Sequence, residues 1–234
     1  MTTKLILFDI DGTLVLTGGA GGRAMARAFE DVFGLQHGMA SISMAGRTDA
    51  WIVAQMAANH GLPCTPEVFH RFHDAYIGHL LDEIHKPGPQ KGILPGVRNV
   101  LDVLADHRGA HLALLTGNFE RGAQIKLEYF DLWRYFGAGA FGDRTHDRNS
   151  LLDTALARVA AAGGPVITAA ETVIVGDTPL DVAVAIAGGA RSLAVATGSY
   201  GVDALRASGA DIVVEDLMDV EAVLEGLGLA SGPG

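Results

Sequence analysis

The chain has 234 residues, enough for one large domain or two smaller ones, and with 49% apolar and 19% charged residues it has ample material for a core. Its 17 Lys and Arg against 27 Asp and Glu give a net charge of −10, which argues against nucleic acid or an anionic membrane as the main partner. Cys64 is the only cysteine, no stretch approaches a membrane span, and residues 1–15 do not read as a signal peptide. A soluble, cytoplasmic protein is expected, as a monomer or a homodimer.

The first predicted element is a buried parallel strand, Leu5 to Phe8, running into Asp9-Ile-Asp-Gly-Thr-Leu14. Asp9 and Asp11 stand at i, i+2, which in a strand places both on one face, at the carboxyl end where open α/β sheets bind ligands. Two carboxylates so close raise each other's pKa unless a cation or a proton sits between them. The simpler alternative is an edge strand running into an acidic turn. The glycine-rich stretch Thr17-Gly-Gly-Ala-Gly-Gly22 lacks the Gly-Lys-Ser/Thr of a P-loop and the dinucleotide spacing, so it reads as a hinge.

Helical periodicity follows over Arg23 to Gly34, then over Ala50 to His60 with Thr48 or Asp49 as N-cap, then from Pro66 to about His85. Within the last, His70, His73 and Asp74 have a spacing compatible with a transition metal, but a solvated stripe is the favoured reading of them. Lys86-Pro-Gly-Pro-Gln-Lys-Gly92 ends this pattern. Residues 17–90 are therefore read as a separate all-helical domain inserted into a second domain formed by residues 1–16 and 91–234.

From Pro95 onward helices and strands alternate. A helix runs to His107, a strand covers His111–Thr116 and ends in Gly117-Asn118, and a helix covers Phe119 to about Phe130. A short apolar piece lies around Phe141, and Asn149 is the expected N-cap of a helix over Ser150–Ala162. Thr172–Asp177 reads as a strand with Pro179 opening the next helix; Leu193–Ala196 and Asp211–Val214 read as two more strands, and the tail Ser231–Gly234 as loose. Alternation of this kind implies βαβ units and an α/β, Rossmann-like parallel sheet.

Three strands thus end in polar residues at one sheet edge: Asp9 and Asp11, then Thr116-Gly117-Asn118, then Asp177 with Asp181 four residues on. Each alone could be a cap or a turn; three on consecutive parallel strands are harder to dismiss. Asp9-Ile-Asp-Gly-Thr-Leu14 resembles motif I of the haloacid dehalogenase (HAD) superfamily. Leu114–Asn118 resembles its motif II, and Val175-Gly-Asp-Thr-Pro-Leu-Asp181 its motif IV. The helical insert resembles that family's cap domain, in the phosphoglycolate phosphatase and β-phosphoglucomutase-like branch. The one departure is motif III. No Lys follows Lys126, so the expected cation must be an Arg: Arg148 by position, with Arg144 as the alternative.

The resemblance implies a Mg2+-dependent phosphatase acting on a small phosphate ester through an aspartyl-phosphate. Asp9 would be the nucleophile and Asp11 the general acid and base. Asp9, the main-chain carbonyl of Asp11 and Asp177 would hold the metal, with Asp181 orienting that shell. Thr116, Gly117, Asn118 and Arg148 would bind the phosphoryl group. Asp11 itself separates a phosphatase from the dehalogenases, which lack an acid there. The insert has no Lys between Lys4 and Lys86, which leaves Schiff-base chemistry of the phosphonatase kind without a candidate. A phosphomutase of the β-phosphoglucomutase kind shares all four motifs, and a silent metal-binding scaffold is the non-enzymatic reading. In the insert, Gly46-Arg47-Thr48-Asp49 resembles the cap loop of phosphoglycolate-phosphatase-like members. Arg47 and Thr48 are candidate substrate contacts, Arg47 for a second anionic group; the alternative is an exposed Arg in a helix-opening loop.

Overall fold

A computed structural model of the chain describes residues 3–36, 38–39 and 42–229, so the tail Ser231–Gly234 lies outside the described residues. β1 (Lys4–Phe8) leads through a tight turn to β2 (Val15–Leu16), from which the chain departs into α1 (Ala20–Phe33), α2 (Asp49–Asn59) and α3 (Pro66–Glu83). It returns on β3 (Gly92–Ile93), antiparallel to β2, so entry and exit of the insert are stitched together. Then come α4 (Val97–Asp106), β4 (Ala110–Leu115), α5 (Glu120–Tyr129), β5 (Gly139–Ala140) and α6 (Leu151–Ala161). The last stretch holds β6 (Thr172–Gly176), α7 (Pro179–Gly188), β7 (Arg191–Val195), α8 (Val202–Ala207), β8 (Ile212–Val214) and α9 (Val220–Gly226).

The main sheet has six strands in the order β5-β4-β1-β6-β7-β8, every neighbouring pair parallel. From β1 the chain winds outward to β4 and β5, then crosses to β6 on the other side. The carboxyl ends of β4, β1 and β6 therefore form a topological switch point, where such sheets leave a crevice. β1 is buried on both faces. Ile6 and Phe8 pack under α4, α5 and α9, whereas Leu5 and Leu7 pack against α6 and α7, as the period of two requires. The fold is an α/β, Rossmann-like core with an inserted helical unit.

The insert has its own apolar cluster, in which Phe29, Met56, Phe72, Tyr76 and Leu80 are fully buried. Phe119, at the start of α5, enters that cluster from the sheet side, edge-on to Phe69 and Tyr76 at 5.7 Å each. Thr65 caps α3 ahead of Pro66 at the first helical position, where a missing N–H costs nothing.

Several expectations need adjustment. Ala20-Gly21-Gly22 is the first turn of α1 rather than part of a hinge, and only Gly18 and Gly19 of that stretch take left-handed φ values. Asn149 is not the cap of α6. A 3-10 turn, Arg148–Ser150, precedes that helix, and the Asp147 carboxylate caps it by accepting the Asn149 N–H at 3.0 Å. Of the two candidates for the N-cap of α2, Thr48 takes the role. The apolar piece near Phe141 contains the edge strand β5, and the β2–β3 pair, too short to show periodicity, was not anticipated. No helix among the described residues is long and apolar enough to cross a membrane.

Candidate active site

β1 ends at Phe8, so Asp9 and Asp11 lie in the turn beyond it and the period of two no longer governs them. Asp9 is buried and points toward the sheet crevice; the Asp11 side chain keeps 41% of its exposure and turns toward α5. Asp11 does raise the Asp9 pKa, as expected of a close pair, but as the least of its influences, behind burial, Arg148, Asp181 and Thr116. Gly12 makes the turn possible. Its φ is 86°, and a Cβ there would stand 2.4 Å from Asp177 Oδ2.

Asp177 ends β6 and is buried, with one oxygen accepting from the Thr13 hydroxyl at 3.2 Å. Four residues on, Asp181 closes a capping box with Thr178 at the start of α7, its Oδ2 accepting from the Thr178 N–H at 3.0 Å and the Thr178 hydroxyl at 2.7 Å. Its Oδ1 is bound by Arg148. With both oxygens engaged, Asp181 is suited to orienting its neighbours. The carboxylates of Asp9, Asp177 and Asp181 can bring ligand atoms within 4.8 Å of one another.

Arg148 is buried in the 3-10 turn that Asp147 initiates. Besides Asp181 it reaches Asp9 Oδ1 at 3.2 Å, and Nη1 donates to the Gly46 carbonyl of the insert at 3.0 Å. Its Nε is buried without a hydrogen-bond partner among the described residues. Arg144 is exposed and takes no part. Burial works against the Arg148 charge, but Asp181 and Asp9 outweigh it and hold the guanidinium pKa above its ordinary range. Burial pushes Asp9 up to about 6, against the opposing pull of Arg148, and Asp177 up to about 8, with Asp181 and Asp9 adding to the effect. One arginine among three buried carboxylates leaves negative charge uncompensated, and this donor set of hard oxygens fits a divalent cation. Glycines leave the room: a Cβ at Gly198 would lie 1.7 Å from Asp177 Oδ2.

β4 delivers Thr116, Gly117 and Asn118. Thr116 is buried, hydrogen-bonds Asp9 through its hydroxyl and accepts the Asn118 amide at 2.8 Å. Asn118 Nδ2 also donates to Asp11 Oδ2 at 2.9 Å. A side chain at Gly117 would collide with the Arg47 carbonyl at 2.0 Å, because the insert's 46–49 loop lies directly on this turn. There Asp49 N–H donates to Gly117 O at 2.7 Å and Ala50 N–H to Gly142 O at 3.2 Å. A cavity of about 410 Å3 remains between the two parts, walled by the carboxylates on one side and by Met25, Met44, Ile52 and Arg47 on the other.

Of the candidate substrate contacts, Arg47 lines this cavity, exposed and stacked over Trp51 with 4.4 Å from guanidinium to ring centroid. Thr48 does not reach the cavity wall: it is buried, and its hydroxyl oxygen accepts the Trp51 N–H at 3.2 Å. His70, His73 and Asp74 do not assemble as ligands; the His73 ring bonds Asp74 and packs edge-on to Phe119. Two residues escaped sequence reasoning. Lys126 is buried with its ammonium 2.5 Å from Asp11 Oδ2 and 2.6 Å from Asn118 Oδ1. Asp49, read only as a possible cap, is buried and accepts the Phe119 N–H at 2.8 Å; burial raises its pKa to about 7, against Lys126, which lowers it. A signal for Lys126 was present, since on α5 it shares the apolar face of Ala123, Leu127 and Phe130 at i, i+3, i+4 and i+7.

A parallel sheet whose carboxyl edge gathers acids, one buried arginine and a hydroxyl, under a helical insert, defines a hydrolase-like α/β architecture. Residues 6–185 match the family model described as haloacid dehalogenase-like hydrolase, and the chain belongs to that family. Among solved structures it is similar to a hydrolase from Pseudomonas syringae, 22% identical with a TM-score of 0.70, covering 96% of this chain and 98% of that one. It is also similar to a predicted phosphoglycolate phosphatase from Haemophilus somnus, 19% identical with a TM-score of 0.70, covering 95% and 98%. CbbY from Rhodobacter sphaeroides in complex with xylulose-(1,5)bisphosphate is 17% identical with a TM-score of 0.71, covering 93% and 96%. No curated protein matches the chain.

Proposed function

We propose that the chain is a Mg2+-dependent phosphatase that hydrolyses a small phosphate monoester, phosphoglycolate-like or a sugar phosphate, through an aspartyl-phosphate intermediate. The observation that carries this reading is the arrangement around Asp9: a buried carboxylate with Arg148 at 3.2 Å and Asp177 and Asp181 beside it, opening into a cavity that Asp11 also lines. Residues 17–90 act as the cap, over a core of residues 1–16 and 91–234.

Asp9 attacks phosphorus; the ester P–O bond breaks, and its electron pair stays on the leaving oxygen, which takes a proton from Asp11. Water then attacks the phosphoryl group while Asp11 takes back a proton. The bond from phosphorus to Asp9 breaks, releasing inorganic phosphate and restoring both carboxyl groups to their starting states. Arg148, the Thr116 hydroxyl and the main-chain amides of Gly117 and Asn118 hold the phosphoryl oxygens. Asp9, Asp177 and the main-chain carbonyl of Asp11 would hold Mg2+, whose charge offsets that of the phosphoryl group and keeps Asp9 ionised. Arg47, on the cavity rim beside apolar Met25, Met44 and Ile52, offers a contact for a second anionic group at the far end of a short substrate.

Hydrolysis of an aryl phosphate with and without Mg2+ tests this directly. Activity is expected with the metal, to vanish with EDTA, and to fall by at least about 10³-fold in Asp9→Asn; an Asp9→Asn variant that retains turnover overturns the covalent mechanism. A panel of small esters including phosphoglycolate and sugar phosphates then identifies the substrate. Isomerised sugar phosphate without released phosphate would instead assign a phosphomutase, which the similarity to a fold neighbour described as a β-phosphoglucomutase keeps in view.

A further inference from the structure

We infer that Lys126 is a positioning residue for the proton-transfer step: with Asn118 it pins one oxygen of the Asp11 carboxyl so that the other faces the leaving group. The inference rests on the phosphatase reading, to which it adds a residue outside the four motifs.

Lys126 projects from the middle of α5, eight residues beyond Asn118, and is 4% exposed despite its charge. A buried ammonium needs partners, and it has two within hydrogen-bond distance: Asp11 Oδ2 at 2.5 Å and the Asn118 side-chain oxygen at 2.6 Å. Asn118 in turn donates its amide to the same Asp11 Oδ2 at 2.9 Å. Lys126, Asn118 and Asp11 thus close a three-membered ring of hydrogen bonds, and Asn118 is itself held to Thr116 at 2.8 Å. Among the described residues both donors go to Oδ2, and none donates to Oδ1.

This asymmetry has a chemical consequence. A carboxyl group that gives a proton to an alkoxide and later removes one from water must present the same oxygen each time, at hydrogen-bond range. Asp11 sits in a turn past the end of β1 with 41% of its side chain exposed, so its rotamer is not fixed by packing. Two donors on Oδ2 supply what packing does not: they fix the plane of the carboxyl and leave Oδ1 as the oxygen that carries the proton. The insert completes the enclosure. Gly21, in the first turn of α1, faces the Lys126 ammonium, to which a Cβ built there would lie 3.4 Å away, so α1 covers this side of the ammonium. The proton needs no route through Lys126, which is why we class it as positioning and not as catalytic.

The discriminating measurement is leaving-group dependence. Departure of 2,4-dinitrophenolate needs no proton, whereas departure of an alkoxide does, and kcat/KM reports events only through the first irreversible bond cleavage. Wild type, K126M and K126R are compared on 2,4-dinitrophenyl phosphate and on a simple alkyl phosphate. K126M is expected to lose about 10²-fold or more in kcat/KM on the alkyl ester and less than about threefold on the dinitrophenyl ester. K126R, which keeps the charge but moves its donors, is expected to show the same selective loss at smaller amplitude, so the test stands even if K126M does not fold. Equal losses on the two esters, or no loss on either, would overturn the role of Lys126 while leaving the phosphatase reading intact. A wild-type protein that hydrolyses neither ester would overturn both.

Discussion

Asp177 shows how tightly a single side chain can be accommodated. It is packed between two glycines, Gly12 and Gly198, at each of which a Cβ would come closer than 3 Å to its carboxylate. The space left by those absent methyl groups is taken by the Asp177 carboxylate itself, so in the proposed metal site the glycines matter as much as the acids. Gly198→Ala is expected to displace the Asp177 carboxylate and raise the Mg2+ concentration for half-maximal activity by at least about tenfold, the scale on which supporting residues act. A Mg2+ titration of the variant checks this; an unchanged midpoint would show that Asp177 can retreat without loss. Burial also drives the Asp177 carboxyl up to about 8, with Asp181 and Asp9 adding to the effect.

At the scale of elements, the junction between α1, the end of α3 and the two connectors is held by one buried acid. Glu83, at the end of α3, is bound by Arg23 Nε at 2.6 Å, Arg27 Nη1 at 3.1 Å and Lys86 Nζ at 2.6 Å. Arg23 also donates to the Gly18 carbonyl at 2.7 Å, so the pair staples the outgoing connector to the returning one. Where the connectors cross, Gly88 lies so near Gly18 that a Cβ on Gly88 would stand 2.0 Å from the Gly18 carbonyl oxygen. The hydrogen bonds from Lys86 and Arg23 hold the Glu83 carboxyl down to about 2. A carboxyl depressed by folding stabilises above its unfolded pKa and loses that contribution as pH falls through the folded one. Glu83→Gln should therefore destabilise by about 2 kcal/mol at neutral pH, the scale of hydrogen bonds to a charged group. For a chain of this length that is a fall in Tm of about 5 °C. The difference from wild type, followed by thermal unfolding, should shrink between about pH 4.5 and pH 2.

At the scale of the whole molecule, Phe119 at the start of α5 carries the insert's apolar cluster down to the core, and beside it the backbone of the 46–50 loop is bonded to the motif II turn. Asp49 sits at the seam. Its carboxyl, raised by burial to about 7, titrates above its unfolded value, so its stabilising contribution is present below about pH 4 and is lost as pH rises through about 7. Asp49→Asn keeps an acceptor for the Phe119 N–H but has nothing to ionise. The Tm of the variant relative to wild type should therefore rise between about pH 4 and pH 7. A constant offset across that range would show that Lys126 already compensates the Asp49 charge fully.

How far this could be read without coordinates depended on the range of each interaction. Strand runs, helix faces and the three polar strand ends are local patterns, with periods of two or 3.6 residues, and they placed Asp9, Thr116 and Asp177 on one edge before any contact was known. Parallel winding then follows from alternation alone, because only crossover helices can join such strands. Arg148 was found by position, but its cap was misplaced by two residues, since Asn149 and Asp147 are both good capping types and only the turn's geometry chooses between them. For the same reason the sequence left Thr48 and Asp49 as alternatives for the cap of α2, and only the geometry chooses Thr48. Lys126 bonds a residue 115 positions away and Glu83 is bound by arginines 60 and 56 positions before it. Neither pairing has a period. The amino-acid order by itself determined which strand ends carry acids. Tertiary structure alone decided which cation meets each acid, because a buried charge finds its partner where two surfaces come together and not where the chain is adjacent.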